Sequence, residues 1–176
     1  LEDSRKAVAR LDKMINDIIR EEIERERRAE SSSVEATARL SSDFASNKTK
    51  LPWPVTGFVV QKFGKQQHPV FKNVVIESHS ITIQTKQSEK VKTVFNGEIS
   101  RVAFVPLVGN TVIINHGDYF SVYAGLKEVF VKSGQKVSTN QEIGSILTNS
   151  DGVSELKFEI RKSANALDPQ QWLVNN

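Results

Sequence analysis

Two charged side chains near the C-terminus are the first candidates for chemistry in this sequence. Glu155 and Lys157 stand two residues apart in the run Glu-Leu-Lys-Phe-Glu, where they alternate with Leu156 and Phe158. Such alternation predicts a strand whose successive side chains point to opposite faces. Glu155 and Lys157 are therefore expected side by side on the polar face, and an ion pair that neutralises both is the simplest arrangement for them.

The composition restricts the classes of function. The chain has 176 residues, with 24 Lys and Arg against 21 Asp and Glu, and it contains no cysteine. A net charge of only +3 gives no basic face for phosphates, so nucleic acid is not an expected partner. The lack of cysteine excludes disulfides, thiolate zinc sites and cysteine nucleophiles. No stretch reaches the roughly 18 consecutive apolar residues of a transmembrane helix.

Residues 1–30 are predicted to form a helix that needs another surface to cover its narrow apolar stripe. The apolar positions follow an alternating spacing of three and four residues: Leu1, Val8, Leu11, Ile15 and Ile18. The helix either packs on its own domain or ends a longer coiled coil. The abrupt start without Met favours the coiled coil and indicates a piece of a longer protein.

Residues 31–51 are predicted to be a linker with a second helix at about 34–47, for which Ser31 and Ser32 are suitable N-caps. From 52 to 176 the pattern is that of a β domain. Short β-branched runs separated by turns such as Asn96-Gly97 predict an antiparallel sheet or barrel-like fold. The predicted strands are 58–61, 74–77, 80–84, 91–95, 98–105, 111–115, 120–124, 144–147 and 155–161. A closing helical turn at 168–173 is expected to anchor Trp172.

Ordered motifs along the β region carry a family resemblance. They are Phe63-Gly64, His68-Pro69, Asn96-Gly97, Gly109-Asn110, His116-Gly117 and the stretches 54–57, 123–126, 131–137, 143–144, 156–159 and 169–173. Together they resemble the LytM-type (lysostaphin-like) peptidoglycan endopeptidase domain over about 52–173. With the preceding helix and the stretch 47–54, the chain further resembles the EnvC-like murein hydrolase activators. The resemblance implies a mainly β domain, a LytM-like antiparallel sheet with a duplicated hybrid motif, behind a coiled-coil arm.

The catalytic positions are where the chain departs from that family. Active members bind zinc through a His-x-Gly-x-Asp motif and the second histidine of His-x-His, and a Tyr-x-His-Leu motif supplies a further catalytic histidine. Alignment on the apolar residues around 81–91 puts Ser78 and Thr82 at the first two ligands. Glu155 and Lys157 replace the two histidines of His-x-His, and Gly125 replaces the catalytic histidine.

These five replacements predict a domain without zinc or any other cofactor, and without catalysis. Catalytic zinc needs three protein ligands and an open position. The hydroxyls of Ser78 and Thr82 are poor ligands, the ammonium of Lys157 repels a cation, and Gly125 has no side chain. The groove that remains is expected to bind a partner.

An alternative metal site would have to use the three remaining histidines. His79 is expected on the strand face opposite Ser78, and His116 is expected to bond to nearby backbone. His68 lies in a loop at a position that is not a ligand in the family.

A second alternative comes from the stretch 131–137 with Ile143-Gly144, which resembles lipoyl- and biotinyl-type hairpins and, with a coiled coil, an efflux adaptor. No modifiable lysine stands at a hairpin tip, so the LytM interpretation is preferred.

The resemblance to activators implies a non-catalytic regulator of bacterial cell-wall hydrolysis in the periplasm or cell envelope. The expected partner is a peptidoglycan amidase, activated during cell division, with peptidoglycan itself as a further partner. The helical arm would reach a membrane complex of the division machinery. The segment at about 34–50 is expected to cover the groove as a latch. Two other functions stay open: a peptidoglycan-binding targeting module, and a zinc endopeptidase with unusual ligands.

Overall fold

A computed structural model describes residues 2–28, 31–68, 70–71 and 73–175, with side chains from Arg5 in the first helix and from Ala36 in the second. Two helices, α1 (Glu2–Arg28) and α2 (Ser31–Ser46), precede the strands. Neither helix has the length and apolar content that crossing a membrane requires. The strands are β1 (Gly57–Gln61), β2 (Gly64–Gln67), β3 (Val75–Ser78), β4 (Ile81–Thr85), β5 (Lys90–Lys92), β6 (Gly97–Val105), β7 (Gly109–Asn115), β8 (Tyr119–Val129), β9 (Lys136–Val137), β10 (Glu142–Ile146), β11 (Ser154–Lys162) and β12 (Asn165–Leu167).

Ten of the strands form one sheet, with seven in the order β1-β4-β11-β8-β7-β6-β9. Of the other three, β10 pairs with β8 and β5, and β12 pairs with β11. The strand pairs are antiparallel, and β2 and β3 form a separate two-stranded sheet. This architecture confirms the predicted fold class, a mainly β domain with an antiparallel sheet and an N-terminal helical arm. The central position of β11 places Glu155 and Lys157 in the interior of the sheet rather than at an edge.

The predicted strands all have counterparts, because alternation of apolar and polar residues marks a strand with one buried face. Three short strands were missed, namely β2, β9 and β12. The residues of β2 are Gly-Lys-Gln-Gln, which offer no apolar alternation. The predicted closing turn is a 3-10 helix at Pro169–Gln171, and the side chain of Asp168 accepts from the backbone N–H of Gln170.

The main core lies on the face of the sheet that carries the apolar residues of β11. Leu156, Phe158 and Ile160 are fully buried there, with the ring of Tyr123 at 5.3 Å from that of Phe158. Trp172, also buried, closes this core near the C-terminus. Burial of these large side chains is the dominant stabilising contribution to such a domain.

The opposite face of the sheet is covered by α1. Leu11, Ile15 and Ile19 are buried against Val122 and neighbouring apolar residues of β6, β7 and β8. The coiled-coil interpretation is corrected for this stretch, because the chain's own sheet covers the apolar stripe. The apolar residues of the sheet are distant in sequence from the helix. Packing the two together removes the apolar surface of both from water.

Polar contacts fix the position of α1 along the sheet. Arg161 Nη1 donates to Asn16 Oδ1 at 2.8 Å, and Arg101 Nη2 donates to Glu21 Oε2 at 3.0 Å. At the C-terminal end of the helix, Asn115 Nδ2 donates to Glu26 Oε1 at 2.6 Å. With the helix held in this way, its N-terminal turns lie near the start of β11, where Glu155 and Lys157 are found.

The second helix, α2, is anchored by one aromatic side chain. The ring of Phe44 is fully buried and stacks on His116 and on Tyr119, with 4.8 Å between ring centroids in each pair. Ser41 Oγ accepts from the backbone N–H of Asp118 at 2.6 Å. This helix therefore sits on the turn between β7 and β8.

Candidate functional site

Thr82, Lys157 and Ala124 lie in one row across three neighbouring strands. Lys157 of β11 is directly opposite Thr82 of β4 on one side and Ala124 of β8 on the other. Residues directly opposite in an antiparallel pair project from the same face, with Cβ atoms about 5 Å apart. The row is the floor of a groove of about 720 Å³.

Four of the five predicted groove residues line this groove: Thr82, Gly125, Glu155 and Lys157. Ser78 is not among the lining residues. Its hydroxyl donates to the carbonyl oxygen of Ser80 at 2.8 Å, across the turn from β3 to β4. The structure therefore brings four of the predicted residues together and gives Ser78 a local structural role beside them.

Glu155 and Lys157 are half-buried, and they make no ion pair with each other or with any side chain that the structure describes. The predicted neutralising pair is wrong. Two residues along a strand are separated by about 7 Å, and long side chains that start so far apart need not converge. Thr82 is engaged only weakly, since its hydroxyl lies 3.5 Å from Gln61 Oε1.

Gly125 has a backbone conformation that explains its residue type. Its φ angle is +104°, and a Cβ added there would lie 2.8 Å from the carbonyl oxygen of Glu155. The pairing register of β7 and β8 shifts at this point, which identifies Gly125 as the extra residue of a bulge. The glycine is thus required by the backbone, a role that its sequence context did not reveal.

The side chains present do not fit a zinc ion. Thr82 and Ser78 offer hydroxyls, Gly125 offers nothing, and Lys157 places an ammonium on the floor of the groove. Within residues 2–28, 31–68, 70–71 and 73–175, no group of three or more His, Cys, Asp or Glu side chains is arranged to hold a metal ion.

The walls of the groove include exposed aliphatic residues that sequence analysis missed. Leu107, at the turn between β6 and β7, is 75% exposed and has a φ of 69°, which is unusual for a residue with a side chain. Val60 of β1 and Val8 of α1 also line the groove with substantial exposure. No sequence signal distinguishes these residues from core positions, because only the tertiary structure leaves them uncovered.

The N-terminal region reaches the groove through α1. Ala7 and Val8 line it, whereas no described side chain of residues 36–50 does. The latch predicted at 34–50 is therefore misplaced. Phe44 anchors that segment on the turn between β7 and β8 instead.

The sequence model of peptidase family M23 matches residues 76–169, which are more than half of the chain. The chain belongs to peptidase family M23. The match begins at β3 and ends at the 3-10 helix, so it contains every strand that forms the floor of the groove.

Relatives of this M23 chain include a cell division protein and a murein hydrolase activator. The cell division protein DipM of Caulobacter vibrioides is 29% identical over 70% of the chain and 20% of its own length. The murein hydrolase activator EnvC of Escherichia coli is 26% identical over 69% of the chain and 28% of its own length. The chain thus spans less than a third of these curated relatives.

A solved structure of the SpoIIQ-SpoIIIAH pore-forming complex contains a chain with the same fold. That chain is 27% identical, the TM-score is 0.60, and the similarity covers 72% of the present chain and 92% of the other. A chain of this fold therefore forms part of a pore-forming assembly of SpoIIQ with SpoIIIAH.

The three histidines of this M23 domain are dispersed. His79 Nδ1 lies 3.5 Å from Asp12 Oδ2 of α1, and its Nε2 lies 3.8 Å from Glu77 Oε1. His68 Nδ1 accepts from the backbone N–H groups of Val70 and Phe71, both at 3.1 Å. Of the three, His68 alone lines the groove, so they form no joint metal site.

His116 belongs to a buried hydrogen-bond chain. Its Nδ1 donates to the carbonyl oxygen of Asn96 at 2.7 Å, so its Nε2 accepts from Ser121 Oγ, also at 2.7 Å. Ser121 Oγ in turn accepts from the hydroxyl of Tyr123 at 2.9 Å. Burial lowers the pKa of His116 to about 4, and burial raises the pKa of Tyr123. A neutral imidazole satisfies these hydrogen bonds. The contact with the carbonyl oxygen of Asn96 is the bond to nearby backbone that was predicted for His116.

Glu159 and Arg161 form a buried ion pair on the α1 side of the sheet, with Nη2 2.7 Å from Oε1. Burial raises the pKa of Glu159, and the guanidinium of Arg161 opposes that effect. The burial of this pair gives Glu159 a structural role in the sheet.

Proposed function

We propose that this M23 domain is a non-catalytic regulator of bacterial cell-wall hydrolysis, which binds and activates a peptidoglycan amidase during cell division. The observation that carries the proposal is the pairing of Lys157 with Thr82 on the groove floor. The groove of the peptidase fold is retained, while an ammonium and a hydroxyl occupy positions where a peptidase of this family needs ligands.

The lining of the groove supports a protein as the bound partner. Val8, Val60 and Leu107 expose aliphatic surface around a polar floor. Exposed apolar groups around a cleft favour an amphipathic segment of another protein, whose own aliphatic side chains gain from burial. We infer that this segment belongs to the amidase.

The names of relatives support the cell-wall context. EnvC and NlpD are named murein hydrolase activators, and DipM is named a cell division protein. We place the present chain in the periplasm or cell envelope by the same similarity, with a helical arm that would connect it to a membrane complex of the division machinery.

We further propose that the first turns of α1 restrict access to the groove. Ala7 is buried and Val8 is partly exposed, and both line the cleft. A partner segment that fills the groove would contact these turns or displace them. In this form the latch belongs to the start of α1, and the described side chains of α2 lie outside the groove.

Release of dye from labelled peptidoglycan tests the function. We expect no release by the chain alone, slow release by a purified amidase of the same organism, and at least tenfold faster release by the mixture. A Lys127→Ala variant, altered on β8 outside the groove, serves as a matched control and should stimulate as the wild type does.

Two outcomes would replace the proposal. Release by the chain alone, abolished by a chelator, would identify a zinc endopeptidase with unusual ligands. Tight binding to sacculi without stimulation of any amidase of the organism would identify a peptidoglycan-binding targeting module.

A further inference from the structure

Two opposite charges on the groove floor are left without partners. Lys157 and Glu155 are both half-buried, and neither makes a hydrogen bond or an ion pair through its side chain with a residue that the structure describes. Partly burying a charge without a partner is unfavourable. Both charges are therefore placed to be satisfied by a bound molecule.

The position of Lys157 determines which charge that molecule presents to it. Lys157 is flanked by Thr82 and Ala124 on the neighbouring strands, and neither supplies a negative group. A zinc ion at this point would attract an oxygen ligand; the ammonium of Lys157 does the same with a single charge. A carboxylate is the strongest partner for it.

The position of Glu155 adds a second requirement. It lies two residues before Lys157 on β11, so the two backbone positions are about 7 Å apart. The residue directly opposite Glu155 on β4 is Gln84, and the described groove lining contains no arginine and no lysine other than Lys157. A cationic group of the bound molecule is the complement for it.

We propose that the segment bound in the groove carries an acidic side chain that pairs with Lys157 and a basic side chain that pairs with Glu155, in that fixed order. In a helix, side chains four residues apart are separated by about 6 Å along the axis, which matches the spacing on β11. The inference rests on the proposed function, because it specifies the chemistry of the partner segment in the same groove.

The apolar rim distinguishes a protein segment from a glycan strand. Leu107 is 75% exposed beside the floor charges, and Val60 is 45% exposed. Aliphatic side chains of an amphipathic helix bury this surface, whereas sugar hydroxyls would leave it in contact with polar groups. Peptidoglycan as the source of the two charges remains an outcome of the test.

Charge reversal tests the order of the two charges. The probe is the full-length amidase that the dye-release assay shows to be stimulated. We expect Lys157→Glu and Glu155→Lys each to weaken binding about tenfold or more, because each change brings like charges together. The matched controls Lys127→Glu and Glu142→Lys reverse exposed charges outside the groove and should leave binding within about twofold.

Zero-length crosslinking tests the contact directly. A carbodiimide joins an amine to a carboxylate, so Lys157 should form a crosslink to an acidic residue of the amidase, mapped by mass spectrometry. Lys157→Arg keeps the charge but cannot form the amide. We expect this variant to bind within about threefold of wild type and to lose only that crosslink.

The outcomes separate the two proposals. If the wild type stimulates and binds the amidase but both reversals bind equally well and Lys157 forms no crosslink, the charge order is wrong and the activator function stands. If the wild type binds no amidase, the activator function itself fails. If the reversals weaken binding to purified sacculi but not to the amidase, the charges recognise peptidoglycan, which overturns the assignment to a protein segment.

Discussion

Lys157 lies directly opposite Thr82 on adjacent antiparallel strands, in the interior of the sheet and on the floor of the groove. This relationship brings together, in one site, a hydroxyl and an ammonium that are 75 residues apart in sequence. A metal bound by an acid at position 82 would still meet the ammonium of Lys157.

Restoring three zinc ligands should restore zinc binding, whereas restoring one should not. The wild type is expected to hold no stoichiometric zinc, whereas the triple variant Ser78→His, Thr82→Asp and Lys157→His supplies three ligands of the kinds zinc prefers. Zinc content after dialysis, measured by atomic absorption, should rise toward one per chain in the triple variant. The single variant Thr82→Asp, which retains the lysine, is the control and should stay without zinc. Stoichiometric, chelator-removable zinc in the wild type would contradict the prediction.

Gly125→Ala should destabilise the domain by about 3 kcal/mol or more. The φ of +104° disfavours any side chain, and the new Cβ would lie 2.8 Å from the carbonyl oxygen of Glu155. Gly134→Ala is the matched control, since its φ is +87° but open space surrounds it. That change should cost only about 1 kcal/mol. Urea denaturation measures both, and equal losses would show that the close approach has no cost.

His116 should make the free energy of unfolding depend on pH. Its pKa is about 4 in the fold, against 6.5 for the ordinary imidazole, because burial disfavours the charged form. Its stabilising contribution is fully present above pH 6.5 and is lost as the pH falls toward 4, a total of about 3 kcal/mol.

The variant His116→Gln isolates that contribution. Unfolding free energies of wild type and variant, measured between pH 4 and 7, should converge as the pH falls. Glu159, whose pKa is raised by burial, acts in the opposite direction in both proteins and cancels in the comparison. A constant difference between wild type and His116→Gln would refute the assignment.

Removal of residues 1–8 should increase stimulation of the amidase. The deletion takes away Ala7 and Val8, which line the groove, and leaves Leu11, Ile15 and Ile19 packed on the sheet. Dye release and binding affinity are the measurements, with Lys13→Ala on the exposed side of α1 as the control. Unchanged or weaker stimulation would show that these turns do not restrict the groove.

Much of the fold could be predicted from the local sequence pattern. Alternation in the stretch from Leu156 to Ile160 identified β11, because a strand with one buried face must alternate. The ordered motifs identified the family. The residue types at Thr82 and Lys157 led to the prediction that zinc is not bound, since a hydroxyl is a poor zinc ligand and an ammonium repels a cation. The strands without alternation, such as β2, were missed for the same reason.

The surface that covers helix α1 could not be predicted from its local sequence pattern. Its spacing determined that a narrow apolar stripe exists, but the stripe through Leu11 and Ile15 has the same spacing whether a helix or a sheet covers it. Only the tertiary structure decided that β6, β7 and β8 provide the cover. The same packing brought Val8 to the groove and placed Phe44 of α2 on a different surface.

The sequence by itself determined that the chain contains a mainly β domain of the M23 type, with an acid and an amine, Glu155 and Lys157, on the polar face of one strand. The tertiary structure decided that Glu155 and Lys157 do not neutralise each other, that Gly125 is held by a bulge, and that Leu107 is exposed beside the groove. Those properties depend on register, backbone angle and long-range packing, which residues distant in sequence set jointly.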